Sequence, residues 1–341
     1  MTLTTALVLV AIAVLAALAA HGVWSARRAR PRRAVAEVAV ATPERVEPSL
    51  GTLPDATVLP VPSAPRRIGA RIDALIDAIA TLALEAPVSG EMLLAHLPAS
   101  RRAGTKPFHV EGLNAATGEW EMLALGQRYS ELQAGVQLAS RSGALNEIEY
   151  SEFVQKVQAF ADAIGAVPDF PDMLDVVARA RELDGFASPH DATLSVRLRA
   201  NSVAWSVGYI QQCGQRHGFV SGAQAGRLVL PTSEEGAPPL LVLSFDAQAA
   251  LADDPAQAAV RELVLTLDVA QSPESAEPFA AWHQAIRALT EDMDATAVDD
   301  DGRPLTLQHF AAISQELEKL YRALESRDMA AGTPVARRLF Q

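Results

Sequence analysis

Apolar and polar residues alternate with period two in some stretches of this chain and recur with period 3.6 in others. The first pattern predicts half-buried strands and the second amphipathic helices. In "TLSVRLRAN", Leu194, Val196 and Leu198 fall on one side and Ser195, Arg197 and Arg199 on the other. The runs "GRLVLP", "PLLVLSFDA" and "RELVLTLDVA" read as three further strands, after a helix over "SVAWSVGYIQQCGQRHG". Phe279, Trp282, Ile286 and Leu289 keep helical spacing, and the turn "VDDDGRPLT" leads to a last helix, "LQHFAAISQELEKLYRALE".

Earlier in the chain the same order recurs with weaker strands. "ARIDALIDAIATLAL" fits either period, because Ile72, Leu75, Ile76 and Ile79 also suit a helix. "SGEMLLAHLP" predicts a short helix, and "KPFHVEGL", "EWEMLALGQ" and "AGVQLASR" predict strands. Phe153, Val157, Phe160 and Ile164 form one helical stripe, and "DMLDVVARARELD" closes the unit. Strands first and helices last is an α+β arrangement. Two similar halves imply a tandem duplication with its junction near Ser188-Pro189.

One run belongs to neither half. Leu3 to Trp24 is built from small and aliphatic residues with no Asp, Glu, Lys or Arg. Some 20 such residues, at about 1.5 Å each, match the roughly 30 Å hydrocarbon core of a bilayer. Arg27, Arg28, Arg30, Arg32 and Arg33 all follow it. Loops rich in Lys and Arg stay cytoplasmic. The expected topology is a single-pass inner-membrane anchor with its N-terminus outside and the folded part in the cytoplasm. His21, Trp24, Arg27 and Arg28 are then the membrane-interface residues. Ala17-Leu18-Ala19 also fits a signal-peptidase site, but arginines just beyond the cut oppose translocation. The expected organisation is anchor 1–25, basic then proline-containing linker 26–66, first unit 67–188, second unit 189–326 and a C-terminal tail 327–341.

Charge and composition narrow the function. The chain has 341 residues and a net charge of −12. Residues 1–66 hold seven Arg against four Asp or Glu, so the remainder is strongly acidic. Such a surface does not suit sequence-independent nucleic-acid binding. The single cysteine, Cys213, excludes an intrachain disulfide. The seven histidines show no metal-ligand spacing, and no phosphate loop or nucleophile elbow is present. Asp299-Asp300-Asp301-Gly302 lacks the spacing and distal Glu of an EF-hand loop and reads as a solvated turn. No enzyme, metal or cofactor is expected on this reading.

Four motifs, taken in order, carry a family resemblance. "HGVWSARR" ends the apolar run, and "SGEMLLAHL", "GFVSG" and "AVDDDGRPLTLQHFAAI" follow in that order after the linker. Together they resemble the ZipA family, bacterial division proteins that tether FtsZ to the inner membrane. The family has one globular domain and a longer linker, whereas this chain reads as two units. The resemblance implies two ZipA C-terminal-like domains of split β-α-β type, each an antiparallel sheet backed by helices on one face. The open face would receive the C-terminal tail of FtsZ. On the second unit that face comprises Ser195, Arg197, Arg199, Arg227, Val229, Val264 and Thr266. Arg197 and Arg199 would pair with acidic residues of the tail, and Val229 and Val264 would supply apolar contact. Two other readings stand beside the adaptor: an anchored scaffold or dimerisation protein of another pathway, and an anchored enzyme. Oligomeric state is not legible in the sequence.

Overall fold

The computed structural model describes residues 71–234, 236–252 and 259–341. They fall into two compact units. One comprises residues 71–191 together with Pro334–Gln341, and the other comprises Ala192–Thr333. The apolar run Leu3–Trp24 and its flanking His21, Trp24, Arg27 and Arg28 lie outside the described residues. Among the described residues no helix is long and apolar enough to cross a membrane. The described residues form an α+β fold with two open sheets, and the expected transmembrane helix ahead of ZipA-like domains is not among them.

The first unit runs β1 (Asp77–Ser89), α1 (Gly90–His96), β2 (Lys106–Asn114), β3 (Trp120–Met122), β4 (Arg128–Gln137), α2 (Glu147–Ile164), β5 (Val167–Asp169) and α3 (Met173–Ala187). Its sheet has the order β2-β4-β1-β5, with β3 and a two-residue strand, Arg102–Ala103, paired to β2. Every pairing is antiparallel, so β1 and β2 run parallel with β4 between them.

Register decides which side chains are buried. Ala78, Val136 and Phe108 share one row, and Ala80, Ala134 and Val110 the next. All six are buried on the helix side, where Phe153, Val157 and Phe160 of α2 meet them. Phe108 and Phe153 pack edge to face at 5.6 Å, and each fully buried Phe stabilises by about 1.5–3 kcal/mol. The stretch 70–84, which suits either period, becomes strand from Asp77 onward because its alternate residues pair with β4. The helices begin where sequence signals place them. Ser89 caps α1, and Asn146 with Glu149 forms a capping box on α2. The strand expected over "EWEMLALGQ" shrinks to Trp120–Met122.

The second unit runs β6 (Thr193–Ala200), α4 (Val207–Arg216), β7 (Val220–Ser221), β8 (Arg227–Leu230), β9 (Leu241–Ser244), a one-turn helix Ala247–Ala250, β10 (Glu262–Asp268), α5 (Pro278–Met293), β11 (Ala295–Val298) and α6 (Leu307–Glu325). The sheet order is β7-β8-β9-β10-β6-β11. Again the first strand lies between the last strand of a meander and the short strand that follows a long helix. Val196, Leu198, Leu243, Leu263, Leu265 and Leu267 are buried with Trp282, Ile286 and Leu289. The helix after β6 starts only at Val207. Trp205 is held by a bridge to Val260, and its indole N–H donates to the Met293 carbonyl at 2.9 Å.

The C-terminal residues depart furthest from expectation. The region read as a tail contains a last helix, α7 (Pro334–Leu339), that belongs to the first unit. Ala336, Leu339 and Phe340 are at most 1% exposed.

Candidate functional site

The face of the first sheet away from its helices carries the rows that alternate with the core. Asp77 stands opposite Gln137, and Ile79, Gly135 and His109 share a row. Two segments cover this face. The first is 71–73. Glu111, fully buried, accepts the backbone N–H groups of Arg71 and of Ile72 (3.0 Å), and the Gln133 amide at 3.1 Å. Ile72 presses on Gly135 so closely that a Cβ there would sit 2.7 Å from its side chain. Only glycine allows that approach.

The second segment is Pro334–Gln341. Its anchor is Arg338, whose Nη2 lies 2.6 Å from Asp77 Oδ1 and whose Nη1 lies 2.9 Å from Oδ2. Nη1 also donates to the Arg71 carbonyl, which ties the two segments together. The Asp77 side chain is 0% exposed and that of Arg338 13%. Burial raises the Asp77 carboxyl above its ordinary pKa, while the Arg338 guanidinium and the Asp73 amide at 2.8 Å oppose the rise. Gln137 donates to the Arg338 carbonyl at 2.8 Å. Beyond the anchor, Leu339 and Phe340 help line a second recess of about 220 Å³ with Ala187 and Ser140. The segment is thus held as a bound peptide would be: one bidentate ion pair, two side-chain-to-backbone hydrogen bonds and two apolar anchors.

Nearby, Lys106 is fully buried. Its ammonium donates to Ser140 Oγ (2.9 Å), Ser142 Oγ (3.0 Å) and the Gly143 carbonyl. All three of its hydrogens therefore have partners, and the lysine clasps the hairpin that borders the Leu339–Phe340 recess.

The residues proposed from the sequence lie elsewhere. Ser195, Arg197, Arg199, Arg227, Val229, Val264 and Thr266 share one face of the second sheet. Val264 stands opposite Arg197, Thr266 opposite Ser195, and the β8–β9 register puts Arg227 and Val229 on the same side. The arginines expected to await an acidic partner already have internal ones. Arg197 reaches Asp300 at 3.2 Å and Glu262 at 3.9 Å. Arg199 reaches Glu262 at 3.7 Å, and Arg227 bonds Gln224 at 2.8 Å. The face that does hold a peptide-like segment is in the first unit, and its residues Asp77, Glu111, His109 and Gln137 escaped the sequence reading. The available signal was the apolar content of "PVARRLF" in a presumed tail.

No protein-family profile matches the chain, and no curated protein is similar to it. The resemblance to ZipA is accordingly withdrawn. So are the assignments that rested on it: FtsZ tail binding, tethering of FtsZ to the membrane and a place in the divisome. The single-pass inner-membrane location rested instead on Leu3–Trp24, which lies outside the described residues, and no described helix is long and apolar enough to cross a membrane. Two of the four motifs have a local explanation. "SGEMLL" is the Ser89-capped start of α1, and "VDDDGR" is the turn in which Asp299 Oδ1 accepts the Arg303 N–H at 2.8 Å.

Proposed function

We propose that this chain is a non-catalytic protein-interaction module whose first unit is a receptor for short arginine-bearing peptides. The observation that supports the reading is the seat of Pro334–Gln341, with Arg338 on Asp77 and with Leu339 and Phe340 buried. In the intact chain the receptor is filled by its own segment. A covalent link gives that segment a millimolar effective concentration, so a competitor in trans must be tight, abundant or multivalent. Burial of one Leu and one Phe, offset by ordering of the peptide, suits micromolar affinity.

The test is exchange. A protease site inserted after Thr333 lets the segment be cut in the folded protein. A labelled peptide spanning residues 334–341 is then titrated and followed by fluorescence anisotropy. Saturable micromolar binding that is lost in Asp77→Asn supports the receptor. A cut, folded protein that neither releases its segment nor takes up the peptide would make the segment a fixed part of the fold and end the proposal.

A further inference from the structure

Between the two covering segments lies a cavity of about 440 Å³, within the usual range for small-molecule sites. Arg71, Asp73, His109, Gln137 and Arg338 are among its lining residues. We infer that this cavity is a binding site for a small oxyanion, a carboxylate or a phosphate, held by the His109 imidazole and the guanidinium groups of Arg71 and Arg338. The inference does not depend on the peptide reading, because the cavity exists with the segment in place.

Three observations converge. First, the His109 ring, partly buried in the cavity wall, has no hydrogen-bond partner among the described residues. A neutral imidazole always has one N–H to donate. Second, donors with spare capacity face the same space. Arg338 spends three of its five N–H groups on Asp77 and the Arg71 carbonyl, which leaves its Nε–H and one Nη2–H. The Arg71 side chain is exposed at the rim. Third, guanidinium groups act on the ring: burial first, and then Arg338, Arg71 and Arg101, push the His109 pKa down to about 4. Asp73, the one acidic side chain on the lining, accepts the Leu75 amide at 2.8 Å, and Asp77 is spent on Arg338. An anion here would gain charge-assisted hydrogen bonds from the Arg71 guanidinium and from the two N–H groups that Arg338 does not spend on Asp77 or the Arg71 carbonyl.

The readout is the imidazole itself. The full chain, labelled in its histidines, is titrated by NMR with inorganic phosphate and separately with acetate; His109→Gln assigns the resonance. A bound anion within about 4–6 Å should raise the His109 pKa by about one unit or more. The rise should saturate with probe concentration and disappear in Arg71→Ala, which removes an exposed side chain and leaves the fold intact. A response to phosphate alone or to acetate alone identifies which oxyanion the cavity takes. No saturable change with either probe would overturn the inference, and so would a change that persists unaltered in Arg71→Ala.

Discussion

Replacing Arg338 by alanine tests the anchor on which the first unit's covered face depends. The guanidinium supplies both strong partners of a carboxylate that is wholly removed from solvent, at 2.6 and 2.9 Å. Without it, Asp77 keeps only the Asp73 amide at 2.8 Å. Leaving one member of a buried pair behind costs about 3–5 kcal/mol. The 13% exposure of Arg338 lets some water reach the site, so the lower end, about 3 kcal/mol, is expected. Because the chain has two units, a single global transition is not a safe readout. Amide exchange of β1, read alongside a urea titration, isolates the first unit. Asp77→Asn and the double variant complete a thermodynamic cycle, which should return a coupling above about 1 kcal/mol. A loss below about 1 kcal/mol, the value of an exposed pair, would refute the reasoning. The sign of the pH dependence is a further check. In the variant the buried carboxyl titrates well above its unfolded value near 3.9. The penalty is therefore full above that raised pKa and fades as pH falls through it toward the unfolded value.

Three other outcomes follow from named contacts. Gly135→Val places a side chain 2.7 Å from Ile72, so segment 71–73 should lift off; the expected cost is about 1–3 kcal/mol, with exchange protection lost at the Ile72 amide. Lys106→Met strips the Gly143 carbonyl and two serine hydroxyls of a shared donor, and thermal unfolding should show a loss of about 1–3 kcal/mol with faster exchange across residues 139–144. His109 is held neutral down to about pH 4, so the unfolded chain takes up a proton near 6.5 that the folded chain refuses. Stability should fall as pH drops from 6.5 to 4, and His109→Gln should flatten that part of the curve.

The strongest sequence patterns specified their elements well. Leu194, Val196 and Leu198 alternate, and β6 buries Val196 and Leu198; Phe153, Val157 and Phe160 keep helical spacing, and α2 buries all three. The stretch before Ala80 was ambiguous for a physical reason. Ile72, Leu75, Ile76 and Ile79 satisfy a helical period, and only pairing with β4, where Asp77 meets Gln137, selects the strand. The site itself was hidden by distance of another order. Asp77 and Arg338 are separated by 261 positions, and no local period records that one will neutralise the other. Read alone, Asp77 and His109 are simply the polar members of alternating strands. The motif resemblance failed for the complementary reason. Ser89 ahead of α1 and the Asp299 turn ahead of α6 are solutions to capping and turning that unrelated chains reach independently.

The two sheets treat their outer faces differently, and the difference locates the receptor. On the second unit Arg197, Arg199, Glu262 and Asp300 answer one another within 3.9 Å and at least a third exposed, so the two central arginines of that face already have acidic partners. On the first unit β1 carries no cation, Arg128 of the neighbouring β4 stands at the far end opposite Ser89, and among the described residues Asp77 is paired by the arginine that α7 brings. A buried carboxylate of this kind selects for arginine in particular, because a planar fork fills both oxygens at once and an ammonium fills one. Arg338→Lys keeps the charge and loses the fork. It should therefore retain part of the anchor's stabilisation and fall between the wild type and Arg338→Ala in the exchange of β1. If Lys performed as well as Arg, simple charge neutralisation would suffice, and the selectivity for arginine-bearing peptides would have no structural basis.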